Sequence, residues 1–195
     1  RDHISGALRI SCYTLSRALV QILLCAIQSI MLCLSYLGVE LFYGNNLPGN
    51  GIIFDNVIME YYITIFLVMC SADTLGLMIS SLVKSEQLAS QLSPYVLIVQ
   101  LLFSGVLFTL KEPASSISAF MISRWGMEAL GSISNLNALP LRLHEEFPMI
   151  PHEADQAFLY TGDHLQKVWL VLVAFIVIQL FISNSLLHRV SKDKR

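Results

Sequence analysis

The chain has 195 residues, of which 55% are hydrophobic and only 13% charged, with a formal net charge of −2. Soluble globular domains carry about 45–50% apolar and about 25% charged residues, so this composition excludes an ordinary soluble domain. The mean hydropathy of +0.64 is concentrated in long runs that almost lack charge, and about 20 such residues are enough to cross a hydrocarbon core about 30 Å thick.

Before the first run comes Arg1-Asp2-His3-Ile4-Ser5-Gly6, which has no initiator Met and no signal-peptide or transit-peptide pattern. The chain is therefore expected to be part of a longer protein. A first helix is predicted over 15–39, where Cys, Ser and Gln are scattered among Leu, Ile, Val and Ala. The loop 40–56 is dense in Gly, Asn and Pro and reads as turns. A second helix is predicted over 57–83 and a third over 94–110, with a possible start near Leu88 that would place Pro94 in its first turns. The long link 111–167 holds a helix-like run near 114–134 and prolines at 140, 148 and 151. The most apolar run, 168–187, predicts a fourth helix. In lipid only a helix satisfies the backbone of such a segment from within. The fold class is thus an all-α integral membrane protein with four transmembrane helices and a helical outer loop.

Basic residues orient these spans. Eight of the twelve Lys and Arg fall in segment 1–17, at Lys84 and in the tail after Leu187, and none falls in the loop after the first helix. The positive-inside rule gives most weight to short loops. Both ends of the chain are therefore expected on the cytoplasmic side of the plasma membrane, with 40–56 and 111–167 outside. Phe42, Tyr43, Tyr61, Tyr62 and Trp169 then lie at the outer edge, where aromatic rings anchor.

Polar residues within the runs are the candidate functional ones. Thr14, Gln21, Gln28 and Ser35 recur every seven residues, which sets them in one stripe along the first helix. The stripe is expected to face the bundle or a partner subunit, either as hydrogen-bonding glue or as the lining of a path. Asp73, in the inner half of the second helix, should face protein or water, with Arg17 a possible partner, because a charge there costs about 2.5–3.5 kcal/mol on insertion scales. Glu60, nearer the outer surface, is expected to reach headgroups or water. Gly76 and Ser80 form a small-xxx-small pair of the kind that lets helices approach. The four cysteines (Cys12, Cys25, Cys33 and Cys70) sit in or beside apolar runs and read as small buried hydrophobes.

Catalytic patterns are missing. No phosphate-binding Gly-x4-Gly-Lys-Ser/Thr loop is present, and Ser104-Gly105 has no histidine within any span to activate it. His144, Glu145, Glu146, His152, Glu153, Asp155 and His164 are possible ligands, but they lack the His-Glu-x-x-His spacing, and no metal site is expected. Neither catalysis nor a nucleic-acid partner is expected of this chain.

Four segments, in order, resemble a known family. They are Arg1–Arg17 with Gly6, Tyr13, Leu15 and Ser16; Gly76-Leu77-Met78-Ile79-Ser80-Ser81-Leu82-Val83-Lys84; Gln91-Leu92-Ser93-Pro94 through Phe103-Ser104-Gly105-Val106-Leu107-Phe108; and Ser123-Arg124-Trp125-Gly126-Met127-Glu128-Ala129-Leu130. Together they resemble the G-subfamily (White-type) ATP-binding cassette exporters, most closely bacterial members that carry the ATPase ahead of the spans, often with a forkhead-associated module. The resemblance implies spans three to six of a six-helix type-2 transmembrane domain, preceded by a cytoplasmic connecting helix. The first two spans and the ATPase would then lie outside this chain. It implies a permease working as a dimer of identical chains in a lipid bilayer. ATP and Mg would be bound by a nucleotide-binding domain, with no cofactor in this chain. It further implies coupling to that domain through Arg1, Ile4, Gly6, Leu8 and Arg9, and a substrate path or dimer surface at Gln21, Gln28, Asp73, Gln100 and Ser104. Arg124 and Glu128, one helical turn apart, would brace the outer loop. Two other readings compete: an ion-coupled carrier using Asp73 and Glu60, and a membrane scaffold or sensor that transports nothing.

Overall fold

The structure is a computed structural model that describes residues 10–43, 51–83, 85–105, 114–138 and 156–192. The described residues are helical: α1 (Ile10–Tyr43), α2 (Val57–Leu82), α3 (Glu86–Leu102), α4 (Ala114–Ser118), α5 (Ile122–Ile133), a 3-10 turn (Gln156–Phe158) and α6 (Gly162–Lys192).

Local chemistry sets the helix ends. Asn56 opens α2, its side chain accepting the Ile58 N–H at 3.0 Å. Ser85 opens α3 in the same way by accepting from Leu88 at 3.3 Å. Helix α3 therefore starts earlier than the predicted 94, and Pro94 lies about two turns inside it. Helix α3 ends at Leu102, and Gly105 turns the chain away at φ +80°, a backbone region that suits glycine. The predicted continuation over 106–110 lies outside the described residues.

The two central helices, α2 and α6, run parallel. Four polar contacts join them in rising order along both. The Trp169 indole N–H donates to Thr64 Oγ1 at 2.9 Å, and the Ser71 hydroxyl to the Leu172 carbonyl at 3.2 Å. The Thr74 hydroxyl donates to the Gln179 amide oxygen at 2.7 Å, and Ser81 and Ser183 share a hydrogen bond of 2.7 Å. Side-chain hydroxyls and amides are the groups that join helices where no hydrophobic force separates protein from lipid. Helix α1 packs against α2 and α6, with the Tyr36 and Tyr61 rings 5.0 Å apart and Cys33 buried in an apolar cluster with Val57, Tyr61, Leu165 and Val168.

Because α2 and α6 point the same way, the chain has to return between them, and α3 makes that return beside α2. Among the described residues, three helices, α1, α2 and α6, are long and apolar enough to cross a membrane. Helix α3 has 17 residues, about 25 Å at 1.5 Å each, which is short of the fourth full span expected.

Segment 114–134, expected as part of an outer loop, does not stand clear of the bundle. Ile122, Gly126, Ala129 and Ile133 are buried at helical spacing along one face of α5. Helix α5 packs on α2 and α6. Its Ile133 end joins the apolar cluster at Val57 and Leu165. At its other end, a methyl group on Gly126 would meet Val68 Cγ2 at 3.0 Å, about 16 Å farther along α2 than Val57 at 1.5 Å per residue.

Candidate functional site

Three polar groupings stand out among the described residues. The first lies where α1, α2 and α6 meet. The Cys25 thiol donates to Asp73 Oδ2 at 2.9 Å, so the hydrogen bond to this carboxylate comes from a cysteine of α1, whereas the sequence offered Arg17. Gln21, Cys25, Cys70, Asp73 and Thr74 line one small void, closed on its other sides by Ala18, Ile22, Ile176 and Leu180. Gln21 Oε1 is buried there without a hydrogen-bond partner. The remainder of the predicted stripe turns away: Gln28 and Ser35 are exposed, and the Ser35 hydroxyl donates to its own helix at Met31. The side chain of Thr14 is outside the description. Among the described side chains of the stripe, only Gln21 faces the bundle.

The second grouping is a cleft of about 360 Å³ between α2, α3 and the start of α5. Its walls are mostly apolar, including Val68, Leu75, Val96 and Leu97, with Ser93, Gln100 and Ser123 as polar points. Gln100 does more than line it. Its Oε1 accepts the Ser123 backbone N–H at 3.0 Å, and the Ser123 hydroxyl donates to the Gln100 carbonyl. Met121, the residue that precedes α5, has no capping side-chain bond, so a side chain from α3 satisfies one of the exposed donors at this helix start. Gly76 also lines the cleft, and a methyl group there would touch nothing within 4 Å. Among the described residues, Gly76 of the small-residue pair therefore makes no close helix contact. Ser104, proposed for a substrate path, is buried at the end of α3 and donates to the Leu101 carbonyl at 2.7 Å.

The third grouping ties α4, α5 and the 3-10 turn to α6. Arg124 Nε lies 3.8 Å from Glu128 Oε2, the one-turn pairing anticipated from sequence. Arg124 Nη1 also donates to the Ser115 carbonyl at 2.9 Å and to the Ser118 hydroxyl at 2.7 Å, and the Trp125 indole donates to the Ala119 carbonyl at 2.8 Å. On the other side of Glu128, His164 Nε2 lies 3.3 Å from Oε1 and 3.0 Å from the Ala157 carbonyl.

Glu60 departs most from expectation. It is fully buried and does not reach water. Its Oε1 accepts the backbone N–H groups of Ile53 and Phe54, the latter at 3.0 Å, and so clamps the turn that leads into α2. A methyl group on Gly51 would lie 2.6 Å from both Glu60 Oε1 and the Phe54 carbonyl, so glycine is what allows the turn to close over the carboxylate.

Arg1, Ile4, Gly6, Leu8 and Arg9, and the ligand-type residues His144, Glu145, Glu146, His152, Glu153 and Asp155, lie outside the described residues. Sequence reading missed Gln179 and Ser183, both buried. The signal was present: they are polar groups inside the most apolar run, and in lipid such groups need a partner.

Most of the surface is apolar. Only 17–28% of each span's most hydrophobic window is buried within the chain, and Leu23, Met31, Leu97, Leu170 and Phe181 stand exposed. In water such patches would drive association. Together with internally paired hydroxyls and amides, they define a multi-pass helical membrane protein. The family model described as ABC-2 type transporter matches residues 1–134, and the chain belongs to that family. It is thus the non-catalytic permease part of an ABC transporter, of a kind that sits in the lipid bilayer and works with nucleotide-binding domains. Neither the curated proteins nor the solved structures contain a match to it.

Proposed function

We propose that this chain is the later part of the permease domain of an ATP-driven exporter of the G-subfamily type. In this reading it supplies spans three to six, with both ends cytoplasmic. Helix α3 makes the return that the parallel α2 and α6 require. Two copies face each other and enclose the substrate path. ATP and Mg act on nucleotide-binding domains outside this chain, and segment 1–16 passes their closure to α1. Alternating access then needs two packings of the helices whose balance ATP shifts.

The observation that carries the reading is the outward stripe of α1. Gln28 is exposed on a helix whose other exposed residues are mostly apolar. An amide facing hydrocarbon is costly, so a second copy or a further helix is the natural cover. An ion-coupled carrier would need Asp73 and Glu60 on one path. They lie about 20 Å apart along α2 at 1.5 Å per residue, and Glu60 is engaged by the turn before that helix.

The test is to reconstitute the full transporter and replace Asp2–Arg9. ATP hydrolysis is expected to persist while transport is lost. Transport that still tracks hydrolysis in that variant would count against the coupling role.

A further inference from the structure

We propose that the void between Gln21 and Asp73 binds one water molecule, which bridges α1 to α2 inside the membrane. Two acceptors meet there without a donor between them. Gln21 Oε1 is buried and has no hydrogen-bond partner. The Asp73 carboxylate takes one hydrogen bond, from Cys25, at Oδ2, and a carboxylate has sites for further ones. A buried acceptor left unmade costs about 1–3 kcal/mol, and native proteins commonly meet that cost with ordered water.

The size fits. The void measures about 20 Å³, and a cavity needs about 10–15 Å³ to hold a water, together with two to four polar partners. Gln21 and Asp73 would accept the water's two hydrogens. The Cys70 thiol lies on the same wall. Hard cations such as calcium take six or more oxygen ligands. Here the side-chain oxygens on the wall are those of the Gln21 amide, the Asp73 carboxylate and the Thr74 hydroxyl, fewer than such a cation takes. The remainder of the wall, Ala18, Ile22, Ile176 and Leu180, is apolar.

Three buried cysteines provide the test, by hydroxyl-radical footprinting of the full-length protein in lipid nanodiscs. Radicals made from a bound water oxidise the thiols beside it. Cys25 and Cys70 line the void, whereas Cys33, similarly buried, sits in an apolar cluster. Cys25 and Cys70 are expected to be oxidised severalfold faster than Cys33, and Gln21→Leu should lower both to the rate of Cys33. Equal slow rates at all three in the wild-type protein would overturn the proposal, with no variant needed. Fast oxidation unchanged by Gln21→Leu would overturn it as well, as would protection of Cys25 and Cys70 on adding sodium, which would identify a cation.

Discussion

Gln100 of α3 caps α5, accepting the Ser123 backbone N–H at 3.0 Å. The two helices are joined through a helix start that no residue of its own caps. Replacing a cap costs about 0.5–2 kcal/mol. Gln100→Leu should therefore lower the unfolding free energy by an amount in that range, and the thermal midpoint with it. Ser123→Ala should lower it less, because it removes the hydroxyl and leaves the backbone donor paired. Equal losses from the two would mean that the amide is not capping α5.

Two glycines should respond to a methyl group in opposite ways. At Gly131 the added carbon would run into the Phe158 ring, which lies against α5. Gly131→Ala should separate the 3-10 turn from the helix and lower the thermal midpoint. At Gly76 nothing lies within 4 Å, and alanine in a helix interior is favoured over glycine by about 0.5–1 kcal/mol. Gly76→Ala should raise the midpoint. A fall there would reveal a neighbour outside the described residues.

The Thr74–Gln179 contact can be measured by a double-mutant cycle. Interhelical hydrogen bonds in membranes average about 0.6 kcal/mol, with a maximum of about 1.7. Thr74→Val and Gln179→Leu, alone and together, should give a coupling within that span from refolding in mixed micelles. Strict additivity would show that the two groups do not depend on each other.

Glu60→Ala should be the most damaging single change at the Val57 end. It strands two backbone donors, at Ile53 and Phe54. Each buried unmade group costs about 1–3 kcal/mol. Hydrogen exchange at Ile53 and Phe54 should accelerate with the loss of stability. Glu60→Gln keeps an acceptor for both and should retain most of the protection. If both variants exchange alike, the clamp is not the carboxyl oxygen.

Hydrophobic runs alone located α1 and α2, whose apolar cores match the predicted 15–39 and 57–83 closely. Helix α3 was harder. The expected start at Pro94 treats proline as an entry, whereas the local cap at Ser85 starts the helix more than two turns earlier. The Phe103-Ser104-Gly105 exit was visible, yet the apolar residues after it extended the prediction to Leu110. Pairing was hidden for a different reason. Seven-residue spacing can place Gln21 and Gln28 on one face, but it does not say which of them meets another helix. The partners of Glu60 and Asp73 are a turn seven residues back and a cysteine 48 residues away, and neither contact has a local signature.

The hydroxyls that join α2 to α6 also bear on how the chain is assembled. Ser71, Thr74 and Ser81 each reach the carbonyl four residues back on their own helix, at Leu67, Cys70 and Leu77, as well as their partners on α6. When α2 first enters the bilayer, α6 has not yet been synthesised. During that interval each hydroxyl has a place for its proton within its own helix, so α2 can persist alone in lipid without an exposed donor. The same groups turn to the last helix when it arrives about 100 residues later. Insertion and association can thus be separate events, the second waiting until α6 has been made.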